Sequence, residues 1–201
     1  MEVALSVAGL VLAAGRGRRI GGPKALLRHG DALLVEHALR MVRDAGCDPL
    51  VVILGAAADE VRAAADLGDA TVVVNKAWGT GVGSSLRVGL STVEELGAEA
   101  VVVVPVDMPG LTAEAARRVA AGPTPDALAC ATFDGRRGHP MLIGRSHFAG
   151  ISTLANGDVG IRPYLLARAA QVTEIPCDEV ATPGDVDTPE DAARWGIQLP
   201  G

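Results

Sequence analysis

Three short stretches of this chain hold residues able to do chemistry on phosphate. The first, "AAGRGRRIGGPK", sets Gly15, Gly17, Gly21 and Gly22 among Arg16, Arg18, Arg19 and Lys24. Glycines bare their backbone N–H groups and the cations add charge, a combination that cradles a polyphosphate. The plainer reading is a solvated turn. The second, "VVVVPVDMPGL", puts Asp107 at the end of an apolar run, between Pro105 and Pro109. A carboxylate held there suits a hard divalent cation that bridges phosphates, or else serves as a turn or N-cap acid. In the third, "GDVDTPED", Thr188 reads as a helix N-cap, Pro189 as the first helical residue, and Glu190 and Asp191 as first-turn acids. Capping leaves Asp187 unexplained, so it is either a second metal ligand or a turn acid.

Two further stretches are weaker. "NKAWGTGVGSSLR" begins at Asn75 and is rich in glycine, which lets a flat base approach the backbone, with Gly83, Ser84 and Ser85 close by. An ordinary strand-to-helix loop would look the same. "RRGHPMLIG" holds His139, a lone histidine with no partner constellation. The chain has no H-E-x-x-H, no G-x-S-x-G and no Cys–His motif, so nothing supports a hydrolase. Two phosphate-loop patterns also fail. After Gly15 and Gly17 the next glycine, Gly21, is one place late for a G-x-G-x-x-G fingerprint, and Pro23 and Ala25 break a Walker loop around Lys24.

Loops like these need a frame. Five continuous apolar runs, at 7–14, 49–55, 70–75, 100–106 and 127–133, read as strands covered on both faces, the habit of parallel sheets. Amphipathic helical patterns lie between them. Leu34, Ala38, Met41 and Ala45 share one face before Gly46; Leu86, Leu90 and Val93 share another, with Ser84 as N-cap and Gly97 as the stop; Thr112 to Gly122 brackets a third. The order predicts a doubly wound, mostly parallel sheet in a three-layer α/β/α domain. The tail after about Gly138 is less regular: a strand at "GHPMLIG", a helix broken by Pro163 and a short last helix. Ligands bind at the carboxyl ends of such strands, so the loops after Ala14, Asn75 and Val106 should face one crevice.

The totals agree. The 201 residues suit one domain (1–201), with a nucleotide-binding part to about 110 and an acceptor-binding part over about 111–201. Aromatics are 2% against 49% hydrophobic residues, so the core is aliphatic. A net charge of −6 argues against non-specific nucleic-acid binding and suits a local basic loop for a small anion. Cys47, Cys130 and Cys177 are odd in number and without metal spacing, as for reduced thiols in the cytoplasm. The apolar run from Val3 to Ala14 has no cation before it and is shorter than the ~20 residues of a membrane span, so neither a signal peptide nor a membrane protein is expected. With no coiled coil in view, a monomer is the default.

Leu12, Ala13, Ala14, Gly15, Arg19, Gly21 and Lys24 fit, in register, the L-A-A-G-x-x-x-R-x-G-x-x-K signature of nucleotidyltransferases with a glycosyltransferase-A-like fold. Ile20 stands where that family usually has Met. With "NKAWGTGVGSSLRVGL", "PVDMPGL", "GRRGHPMLI", "NGDVGIRPYL" and "DVDTPED", the chain resembles the molybdenum cofactor cytidylyltransferase branch from residue 10 to about 191. That branch often opens Thr-Ala-Ala-Gly, where this chain has Leu12.

The resemblance implies a Mg²⁺-dependent reaction in which the terminal phosphate of molybdenum–molybdopterin attacks the α-phosphorus of CTP and releases pyrophosphate. It implies that Leu12, Ala13, Ala14 and Gly15 line the base and ribose, with Asn75, Gly83, Ser84 and Ser85 completing the pocket. Arg19 and Lys24 would hold the triphosphate, Asp107 and Asp187 the metal, and His139 and Asp158 would sit on the acceptor side. A molybdenum hydroxylase is the expected client. Relatives with similar loops use GTP or another phosphate acceptor, or are accessory proteins that carry the cofactor without catalysis. A dinucleotide-binding oxidoreductase is the rival from another class; the late glycine and the lack of an acid at the tip of "VVILG" count against it.

Overall fold

The structure, a computed structural model, describes residues 5–199; Val3 and Ala4 of the apolar N-terminal run lie outside them. In chain order the elements are β1 (Val7–Ala13), β2 (Arg28–His29), β3 (Ala32–Leu33), α1 (Leu34–Asp44), β4 (Leu50–Leu54), α2 (Ala58–Ala64), β5 (Thr71–Val74) and α3 (Val82–Glu95). There follow β6 (Ala100–Pro105), α4 (Ala113–Val119), β7 (Leu128–Phe133), β8 (Arg136–Gly144), α5 (Phe148–Leu154), α6 (Arg162–Ala167), β9 (Thr173–Pro176), α7 (Pro189–Arg194) and β10 (Ile197–Gln198). The five apolar runs are β1, β4, β5, β6 and β7, as their patterning predicts.

They build a seven-stranded sheet of order β5-β4-β1-β6-β8-β7-β9, with a small second sheet β10-β2-β3. Alternate residues of the buried strands feed opposite cores. Val11, Val102 and Val104 pack with Leu34, Val42 and Ala115 on the face of α1 and α4. Leu10, Val101 and Val103 pack with Leu86, Leu90 and Ile151 on the face of α3 and α5. This is the α/β/α layering of a nucleotidyltransferase fold. Each fully buried Val or Leu contributes roughly 1.5–3 kcal/mol, so a largely aliphatic core needs few aromatics, here Phe133, Phe148 and Tyr164.

The chain winds outward from β1 to β4 and β5, then crosses back to lay β6 on the other side of β1. That reversal opens a crevice at the carboxyl ends of β1 and β6. Leu12 pairs with Pro105, so the loop after Ala14 and the loop bearing Asp107 leave neighbouring strands side by side.

Three details depart from expectation. Strand β8 runs antiparallel between β6 and β7. It returns from β7 through Asp134-Gly135, both at positive φ (49° and 71°), the two-residue turn that Asp-Gly favours. Within that hairpin Ala131 pairs with Gly138 but Cys130 with Met141, so His139 and Pro140 bulge out of the ladder. Helix α3 starts at Val82 with Gly81 as its cap, so Ser84 is not the N-cap but a buried residue of the first turn. Pro163 stands at the start of α6, where a missing N–H costs nothing, and breaks no helix. Thr188 caps α7 as predicted, its hydroxyl accepting from the Asp191 N–H at 3.2 Å. All three cysteines are buried free thiols, and burial raises Cys47 to about 11. No helix among the described residues is long and apolar enough to cross a membrane.

Candidate active site

Lys24 is placed by its own short turn. Pro23 enters a 3-10 turn over Lys24–Leu26, and Ala25 and Leu27 anchor it, each 1% exposed. The ammonium donates to Asp107 Oδ2 at 2.6 Å and to Asp187 Oδ1 at 2.5 Å. Arg19 donates to Asp187 Oδ2 at 2.7 Å. The acids are held together from behind. The Val186 N–H donates to the Asp107 carbonyl at 2.9 Å, and the Asp187 N–H to Asp191 Oδ2 at 3.2 Å. The cap of α7 therefore also sets the strap that carries Asp187.

Charge distribution follows. Burial opposes the Lys24 charge, but the Asp107 and Asp187 carboxylates outweigh it, and its pKa sits above the ordinary lysine value. The hydrogen bond from Lys24, with the charges of Lys24 and Arg19, holds the Asp187 carboxyl below the usual aspartate range. Asp185 moves the other way. It keeps an exposed surface, yet partial desolvation and the like charges of Asp107 and Asp187 push it up.

Among the described residues no group of three or more His, Cys, Asp or Glu is arranged to hold a metal ion. Two carboxylates do converge on one cation. That donor set fits a hard divalent ion that takes its remaining oxygens from phosphates and water. Asp107 and Asp187 are the residues that would hold it.

Two cavities adjoin beside this cluster, and the smaller of them reaches Lys24 and Asp107. One, of about 500 Å³, is lined by Ala14, Gly15, Arg16, Gly17, Arg18, Lys24 and Asp107 on the loop side, and by Trp78, Gly79, Gly81 and Ser85 opposite. The other, of about 790 Å³, is mostly apolar, with Leu86, Met141, Ile161 and Leu165 in its walls and Arg136, Arg137, Arg162 and His139 at its polar points. Leu12, Val82 and Pro105 line both.

Not every residue expected at the pocket faces it. Leu12, Ala14, Gly15 and Ser85 do, whereas Ala13 turns into the core on the α1 face. Asn75 is 3% exposed and fully used inside the protein. Its amide donates to Ser84 Oγ at 2.8 Å and Ser85 Oγ at 3.0 Å, and its carbonyl accepts from the Ala77 N–H at 2.9 Å. Asn75 and Ser84 thus shape the loop from behind. Gly83 lies against the Ala155 backbone, where a Cβ would come within 2.7 Å of it. Asp158, expected on the acceptor side, lines the loop cavity, because the 157–159 turn packs onto Gly81.

Trp78, Arg136, Arg162 and Asp185 stand inside stretches quoted above but are not singled out there, because their types and spacing match no local pattern of chemistry.

His139 does sit at the second cavity, aimed there by its bulge. It makes no hydrogen bond to any described residue, and burial lowers it to about 4 against the pull of the Asp107 charge. The ring is therefore neutral near pH 7. The unfolded chain binds this proton more tightly than the folded one, so stability falls as pH drops from 6.5 towards about 4. Thermal melts across that window should fall more steeply for the wild type than for His139→Gln; parallel curves would mean an ordinary histidine.

Fold and site together define an α/β protein of the nucleotidyltransferase class. The chain belongs to the MobA-like NTP transferase family, whose domain matches residues 9–172. It is 36% identical over 196 residues to the nicotine blue oxidoreductase of Paenarthrobacter nicotinovorans, covering 94% of this chain and 95% of that protein. It is 26% identical over 200 residues to the molybdenum cofactor guanylyltransferase of Rhodobacter capsulatus, again covering 94% and 95%. Among solved structures it resembles Rv0371c of Mycobacterium tuberculosis (34% identity, TM-score 0.82, 96% of this chain and 97% of that one). The manganese complex of that protein matches at 32% identity and TM-score 0.81, over 94% and 97% of the two chains.

Proposed function

We propose that this protein transfers CMP from CTP to the terminal phosphate of molybdenum–molybdopterin, with Mg²⁺, in the cytoplasm, and that a molybdenum hydroxylase receives the product. Residues to about 110 supply most of the nucleotide seat and about 111–201 most of the acceptor seat. The observation that carries this reading is the shared wall of Leu12, Val82 and Pro105 between a cationic glycine-loop cavity and a second, larger one. Two substrates seated there meet beside Asp107.

The backbone of Gly15–Gly17, with Arg16, Arg18 and Lys24, binds the triphosphate and takes up charge on the departing pyrophosphate. An acceptor phosphate oxygen forms the new bond to the α-phosphorus as the bond to the pyrophosphate oxygen breaks. The attacking group is already an anion, so no base need remove a proton. A divalent cation held by Asp107 and Asp187 would neutralise the phosphates during transfer. His139, neutral, can orient the acceptor without adding charge.

Pyrophosphate release with molybdopterin, measured with each nucleotide in turn, tests the reading. CTP should exceed GTP by about tenfold or more in kcat/KM, since one unmet polar group on the wrong base costs ~1–3 kcal/mol. A GTP preference would place the chain with relatives named guanylyltransferases and overturn the cytidylyl assignment.

The likeness to a nicotine blue oxidoreductase, joined to the apolar cavity beside the nucleotide cleft, favours a second reading: a dinucleotide-dependent reductase of a flat aromatic compound. Against it, the tip of β4 has no ribose-binding acid. Gly55 there is closed against Ala14 and Trp78, with a Cβ position 2.7 Å from the Ala14 carbonyl oxygen and from Trp78 Cβ. NADH or NADPH oxidation in the presence of a quinonoid dye, with no turnover of CTP, would establish that reading.

A further inference from the structure

We infer that Lys24 is the resident counter-ion of the metal seat: it occupies the point between Asp107 and Asp187, and a divalent cation binds well only when a nucleotide triphosphate draws the ammonium away. The inference rests on the two-acid metal seat proposed above and concerns its order of filling.

Its basis is the way the carboxylates are used. Lys24 Nζ takes Asp107 Oδ2 at 2.6 Å and Asp187 Oδ1 at 2.5 Å, while Arg19 takes the remaining Asp187 oxygen at 2.7 Å. Both oxygens of Asp187 and Oδ2 of Asp107 are therefore engaged before any metal arrives. The Lys24 side chain is 16% exposed, so this contact is little screened by water. A cation entering between the acids meets an ammonium at the same point and must displace it. The displaced ammonium has short reach, because its turn is anchored by Ala25 and Leu27. The place within that reach built for an anion is the glycine-loop cavity that Lys24 itself lines. A triphosphate there gives Lys24 a new partner as the metal takes the old ones. Each ligand then strengthens the other by the same factor, as linkage requires. Without nucleotide, the seat is kept compact and neutralised, and free divalent ions are held off.

The test is Mn²⁺ titration of the nucleotide-free protein, with free Mn²⁺ followed by electron paramagnetic resonance. Lys24→Gln should bind Mn²⁺ about tenfold tighter than wild type, because the competing charge is gone. CTP should raise Mn²⁺ affinity about tenfold in the wild type, after correction for Mn–CTP formed in solution, and much less in the variant. Equal or weaker Mn²⁺ binding by Lys24→Gln overturns the exchange while leaving the metal seat standing. No Mn²⁺ binding by either protein, with or without CTP, overturns the metal seat and the inference together. If Lys24→Gln does not fold, the wild-type comparison decides alone: an affinity for Mn²⁺ that CTP leaves unchanged rejects the exchange.

Discussion

Asp107→Ala should fold and lose nucleotidyl transfer by about a hundredfold or more, ~2.7 kcal/mol of transition-state stabilisation. The side chain is 21% exposed at the end of β6 and lies outside both apolar cores, so its loss opens no cavity there. Lys24 keeps Asp187 as a partner at 2.5 Å, which leaves no buried charge alone. What disappears is one of the two carboxylates proposed to seat a divalent ion beside the triphosphate. The check is turnover at saturating Mg²⁺ alongside a thermal melt. Near-wild-type turnover would remove Asp107 from the mechanism, and an unfolded variant would show a structural role instead.

Gly17→Ala should weaken CTP binding by about thirtyfold, ~2 kcal/mol, the worth of roughly two backbone hydrogen bonds to phosphate. Gly17 sits at φ +61°, and a Cβ there would lie 1.9 Å from the Gly22 carbonyl oxygen. Its own carbonyl accepts from the Ile20 and Gly22 N–H groups at 3.1 and 3.2 Å, which closes the loop. A methyl group forces that closure open. Gly21→Ala is the control: φ is +87°, but a Cβ meets nothing within 4 Å. It bears the left-handed backbone penalty of ~1–2 kcal/mol without the collision. Calorimetric titration of CTP into both variants separates the two effects, and equal affinities would show that strain alone matters.

The parts of this protein legible in its sequence are those with local causes. Continuous valine-rich runs mark strands buried on both faces because each residue must be apolar whichever way it points. Thr188, Pro189 and Asp191 announce a helix start through bonds that span only three residues. The glycines and cations around Gly15–Lys24 mark a candidate anion loop, proposed above as the triphosphate seat, because backbone access and charge are properties of that stretch itself. Asp107 stood out by its place at a strand end.

The tertiary structure decided what depends on strand order and side-chain direction. Lys24 meets Asp107 and Asp187 across 83 and 163 residues, and no local pattern encodes that meeting. It arises because β6 crosses back to lie beside β1. Asn75 and Ser84 carry groups fit for a base but spend them on one another, a choice made by which face of the β5–α3 connection is buried. The bulge at His139–Pro140 and the insertion of β8 between β6 and β7 follow from the pairing of that hairpin with β6. Apolar patterning says that a strand is buried. It does not say which neighbour it pairs with, and at the ends of β1 and β6 the neighbour determines the site.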